Sequence, residues 1–103
     1  MRPDHPAYSL PDVQAAAREG RYWITRSARV TASDVGLSET DMIDSVLALS
    51  PTDFYKSMPS RQRPGTFQDV YRPTYSGLHL YVKLQMGRRT EAVVISFKPD
   101  EHR

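Results

Sequence analysis

The sequence predicts one α+β domain, with N-terminal helices packed on a C-terminal antiparallel β-meander. Helix-starting signals and an i, i+3, i+4 apolar stripe fall in the first half, whereas the pattern changes to period two from Phe67 onward. A length of 103 residues supports a single core and no second one, so residues 1–103 are read as one domain.

Taken in order, residues 1–8 read as a loose lead-in, because Pro3 and Pro6 oppose regular structure. A helix is expected from Ser9, with Pro11 in its first turn and Gly20 as its stop. Residues 21–25 read as a short strand with either Trp23 or the Tyr22 and Ile24 pair turned inward, and a short helical turn is expected between Arg26 and Gly36. Ser38–Asp41 and Ser50–Asp53 each resemble a capping box, so each is expected to open a helix. The first carries Met42, Ile43, Val46, Leu47 and Leu49 on its core face, and the second ends near Met58-Pro59. SRQRPG, residues 60–65, is a basic loop.

Three strands follow, over 67–72, 78–85 and 91–98, separated by PTYSG and MGRRT. In the middle one Leu78, Leu80, Val82 and Leu84 alternate with His79, Tyr81, Lys83 and Gln85, which predicts one apolar face and one face rich in chemistry.

Charge is distributed unevenly. Residues 1–53 carry five Arg against eight acids, a net of −3, whereas residues 54–89 carry seven basic residues against Asp69 alone, a net of +6. That basic segment also holds six of the ten aromatics. Interleaved cations and rings suit a single-stranded nucleic acid, in which phosphates meet Arg and Lys while unstacked bases meet ring faces. Packing in the core is the competing reading for Phe54, Phe67 and Tyr71.

Several chemistries are excluded. The chain has no cysteine, so disulfides, thiolate metal sites and cysteine nucleophiles are ruled out. His5, His79 and His102 have no metal-ligand spacing, and no phosphate-binding glycine motif is present, so neither a metal nor a nucleotide cofactor is expected. With no leader pattern and no apolar run of bilayer length, the expected compartment is the cytoplasm and no membrane partner is expected. RNA cleavage needs no cofactor, because the 2′-hydroxyl attacks the adjacent phosphorus once its proton is taken and the leaving oxygen is protonated. Lys, Tyr and Arg can share those tasks, and a Lys becomes a base where neighbouring cations depress its pKa.

The runs DFYKSM (53–58), QDVYRP (68–73), LYVKL (80–84) and VISFK (94–98), with TRSA at 25–28, closely resemble the motility quorum-sensing regulator toxins, MqsR. The resemblance implies a RelE-like fold and a type II toxin that cuts free messenger RNA without the ribosome, preferring GC-containing sites. It also implies a neutralising antitoxin, itself a DNA-binding protein, and assigns the active surface to Lys56, Gln68, Tyr81 and Lys98. The chain departs from the family pattern at SRQRPG, at His79 and at MGRRT.

Beyond those four, Arg72 offers a planar fork for a phosphate, with an ion pair to Asp69 or a packing role as the alternatives. Lys83, Arg61, Arg63, Arg88 and Arg89 are the other expected RNA-binding residues, the last two in a turn suited to steering. General enzymology would choose His79 as acid or base, but the family match does not support it. The competing reading of the whole chain is a regulatory module that binds RNA or DNA without cutting it.

Overall fold

The computed structural model describes residues 5–101. Of the expected lead-in, residues 1–4 lie outside the described residues, as do His102 and Arg103. Helices α1 (Leu10–Arg18), α2 (Arg26–Asp34) and α3 (Glu39–Leu47) precede most of the sheet, which contains β1 (Tyr22–Ile24), β2 (Phe54–Pro59), β3 (Phe67–Tyr71), β5 (Leu78–Met86) and β6 (Ala92–Pro99). A two-residue strand, β4 (Thr74–Tyr75), pairs with β5 off the main path. The strand order is β1-β6-β5-β3-β2, antiparallel except where β1 runs parallel to β6. The α+β architecture with helices first and strands second is therefore the observed one.

Local chemistry sets the helix ends. The Ser9 hydroxyl accepts from the Asp12 amide, and Pro11 occupies the first turn of α1. Gly20, at φ +79°, lets the Arg21 amide reach back to the Ala16 carbonyl at 2.8 Å. The capping box of α3 is complete, with Ser38 accepting from the Asp41 amide and Asp41 accepting from the Ser38 amide. Gln14 on α1 then caps the other end of α3, its Nε2 donating to the carbonyls of Val46, Leu47 and Leu49 at 2.9–3.2 Å.

Two local expectations are corrected, and one left open is decided. Between Arg26 and Gly36 the chain forms a nine-residue helix, α2, because Thr25 caps the Ala28 amide and Ala28 and Ala32 bury a small-residue face against β6. Of the two options for β1, Ile24 turns inward while Trp23 stays 68% exposed. The largest correction concerns residues 50–59. The Asp53 carboxylate does accept from the Ser50 amide, but the helix it opens is a single 3-10 turn, Pro51–Asp53. Phe54–Pro59 is a strand, since its aromatic-rich sequence pairs with the whole of β3 and gains a ladder that an isolated short helix cannot offer. Pro59 is tolerated because β2 lies at the sheet edge.

The core lies between the helices and one sheet face. Leu80, Val82 and Leu84 of β5 and Ala92, Val94 and Phe97 of β6 meet Val13, Ala16, Met42 and Val46, all nearly inaccessible to solvent. Residues 5–8 form neither helix nor strand, yet they are anchored: the amides of Ala7 and Tyr8 donate to the buried Asp69 carboxylate, and the Tyr8 hydroxyl donates to the Phe67 carbonyl. Asp69 is therefore a receptor for the N-terminal segment. No helix among the described residues is long and apolar enough to cross a membrane.

Candidate active site

Strand register decides which side chains share the sheet face opposite the helices. Paired residues project to the same side, so three rows can be traced across it. One row contains Lys56, Val70, Lys83 and Ser96. On one side of it Tyr81 stands opposite Lys98. On the other side lie Met58, Gln68, Gln85, Val93 and Trp23, with Gln68 Nε2 donating to Gln85 Oε1 at 3.2 Å. Successive rows are about 7 Å apart, two residues along a strand.

Two β-bulges give these rows their composition. In β6 the register slips between Lys83 and Leu84, leaving Ile95 as the extra residue. Strict alternation from Ala92 and Val94 would turn Ser96 and Lys98 into the core, whereas the bulge sends Phe97 inward and Lys98 outward. In β2 the slip falls between Phe54 and Lys56, leaving Tyr55 unpaired. Phe54 consequently packs edge-on against Tyr71 in the interior, while Lys56 joins the outer face.

The rows of Lys56 and Tyr81 border an open cleft of roughly 560 Å³ lined by Tyr55, Lys56, Tyr81, Lys98, Pro99 and the 100–101 acids. The Lys98 ammonium lies 5.1 Å from the Tyr81 ring centre. Tyr55, 48% exposed, sits between two cations, with the Arg72 guanidinium 4.5 Å and the Lys56 ammonium 5.4 Å from its ring centre. Arg72 Nε donates to the buried Asp100 carboxylate at 2.6 Å. The ion pair of Arg72 is thus with Asp100, while Asp69 holds the N-terminal segment.

Electrostatics separate the candidate groups. Burial, with the neighbouring Tyr55 and Asp100, raises the Tyr81 phenol above its ordinary pKa, so it carries its proton at neutral pH and can donate it. Lys83 is shifted the other way, lowered by burial and then by the charges of Lys98, Lys56 and Arg61. Tyr71, in the core near Asp69, is pushed up to about 12 by burial and faces the helices.

Lys56, Tyr81 and Lys98 thus meet at one cleft, whereas Gln68 shares the face but stands in the far row, paired with Gln85. Lys83 lies between them. Arg61 and Arg63 occupy the β2–β3 loop, and Arg88 and Arg89 the β5–β6 turn, both at the Gln68 end of the sheet. His79 is outside the cleft, its Nδ1 3.0 Å from the Thr74 hydroxyl. Tyr55 is the cleft residue that sequence reasoning did not single out: its place inside DFYKSM was a signal, but the assumed helix hid its direction. Among the described residues no group of three or more His, Asp or Glu side chains could hold a metal ion.

The family model described as "Motility quorum-sensing regulator, toxin of MqsA" matches residues 5–99. The chain belongs to the MqsR toxin family. Within it, the Escherichia coli K12 protein named mRNA interferase toxin MqsR is 33% identical over 93 residues, spanning 90% of this chain and 93% of that protein. The match takes in both bulged strand pairs, β2 with β3 and β5 with β6.

Proposed function

We propose that the chain is the toxin of a type II toxin–antitoxin pair, an endoribonuclease that cuts messenger RNA at the Lys56–Tyr81–Lys98 cleft. The observation that carries this reading is the convergence of a protonated phenol, several cations and an exposed ring on one sheet face. Membership of the MqsR family, whose Escherichia coli member is named an mRNA interferase, supports it.

In the proposed reaction the RNA 2′-oxygen bonds to the adjacent phosphorus as the bond to the 5′-oxygen breaks, leaving a cyclic phosphate and a 5′-hydroxyl. Lys83 in its neutral form accepts the 2′ proton, a role supported by its lowered pKa. Tyr81 donates a proton to the departing 5′-oxygen, and Lys56 and Lys98 offset the charge that builds on the phosphate. Gln68, held by Gln85, hydrogen-bonds the bound strand further along. Arg72, fixed by Asp100, supports Tyr55 from behind. Each step is assigned to a side chain, and the proposed reaction calls on no metal.

The likeness of the DFYKSM and QDVYRP motifs to the family supports cleavage of free messenger RNA without the ribosome and at GC-containing sites. A cognate antitoxin, DNA-binding and of the kind named in the family description, neutralises the toxin in the cytoplasm.

The test is to incubate the purified chain and a Lys56→Ala, Tyr81→Phe double variant with a long messenger RNA in EDTA, then map the ends by primer extension. Discrete cuts with 5′-hydroxyl ends that vanish in the variant are expected. RNA that is bound but left intact would make the chain a binding module.

A further inference from the structure

Trp23 is the chain's single tryptophan and, among the described residues, the most exposed large apolar side chain, at 68%. Its direction is fixed by β1, because it pairs with Val93 and therefore projects from the same face as Gln85 and Gln68. Around it the surface forms an open cleft of roughly 420 Å³, lined also by Arg21, Arg89 and Glu91. The cleft walls are fastened together: Arg21 Nη1 donates to the Thr90 carbonyl at 2.6 Å and to its hydroxyl at 3.0 Å, and the Arg89 amide donates to Glu91 at 2.9 Å. The exposed Arg89 lines the same cleft as the indole.

We infer that Trp23 and Arg89 form an outlying subsite of the proposed ribonuclease, where a nucleobase of the single-stranded substrate stacks on the indole and a phosphate meets the guanidinium. This rests on the ribonuclease reading above. Two strand spacings, about 10 Å, separate Trp23 from Gln85, and four residues of β5, about 13 Å, separate Gln85 from Tyr81. A single strand crossing the face from the Tyr81 cleft past Gln68 and Gln85 arrives at the indole within a few nucleotides. An RNA is favoured over a strand-adding protein because β1 offers only three residues of edge, and because an exposed ring sharing a cleft with Arg89 matches a base and a phosphate, Arg21 being paired with Glu19.

With one tryptophan, fluorescence excited at the red edge of the indole band, where the six tyrosines do not absorb, reports on this position alone. Titrating the cleavage-deficient Lys56→Ala, Tyr81→Phe protein with a long single-stranded RNA quenches the emission, and oligonucleotides too short to reach β1 quench it less. In the otherwise wild-type enzyme, Trp23→Ala raises KM for the long RNA on the order of tenfold, with kcat less affected, and Trp23→Phe recovers part of the loss. Unchanged emission and unchanged KM in an enzyme that cuts would overturn the subsite, as would a Trp23→Ala loss confined to antitoxin binding. If the wild type cuts no RNA, the ribonuclease reading fails, while a quench by RNA still supports the stacking site.

Discussion

Lys83 projects from the middle of the outer face, flanked across the sheet by Val70 and Ser96 and surrounded by the charges of Lys56, Lys98 and Arg61. Burial and those cations lower its pKa, so the folded protein holds this proton less tightly than the unfolded chain does. The stability linked to Lys83 is therefore fully present above the ordinary lysine range and is lost as pH falls through the lowered folded value. Lys83→Met should raise the melting temperature at neutral pH while lowering the single-turnover cleavage rate by roughly 10²-fold, the scale of a lost general base. Lys98→Met removes one depressing charge, so the rising limb of the pH–rate profile should move to higher pH; a stationary limb would show that Lys83 is not the base. Neither effect was readable from the sequence, in which Lys83 was one basic residue among seven between residues 54 and 89.

Secondary-structure elements aim these residues, and the aim depends on interactions between distant segments. Gln14 joins α1 to the end of α3 by donating to three carbonyls there, of which Val46 also accepts from the Leu49 amide, so Gln14→Ala should cost roughly 2 kcal/mol of unfolding free energy in urea titrations. A change below a few tenths would mean that solvent replaces those bonds. The strands of the second half were legible because β5 alternates cleanly, with Leu80, Val82 and Leu84 inward and Tyr81, Lys83 and Gln85 outward. Strand β2 was not legible: the Ser50–Asp53 signal is genuine but local, and only pairing with β3 turns the following six residues into a strand. The bulges at Tyr55 and Ile95 carry no composition signal either, yet they orient Lys56 and Lys98.

Across the whole molecule, cations of the basic segment project from the outer face or from loops at its Gln68 end, while the helices cover the opposite side. RNA affinity should accordingly fall with salt, through release of ions condensed on the phosphates. Replacing Arg61 and Arg63 by alanine should flatten the slope of log affinity against log salt by about 0.7 for each phosphate that is no longer neutralised, measured by fluorescence anisotropy with a labelled single strand. An unaltered slope would exclude the β2–β3 loop from the RNA path.

Composition and periodicity by themselves determined the α+β fold class, the two-faced β5 and the basic and aromatic second half, because each depends on residue type or on spacing along one segment. Tertiary structure decided that β2 is a strand, that Tyr55 enters the cleft with Lys56, Tyr81 and Lys98, that Arg72 pairs with Asp100, and that Trp23 lies on the same face as Gln68. These depend on register between strands far apart in the chain, where a slip of one residue reverses every side chain, and no window of sequence contains that information.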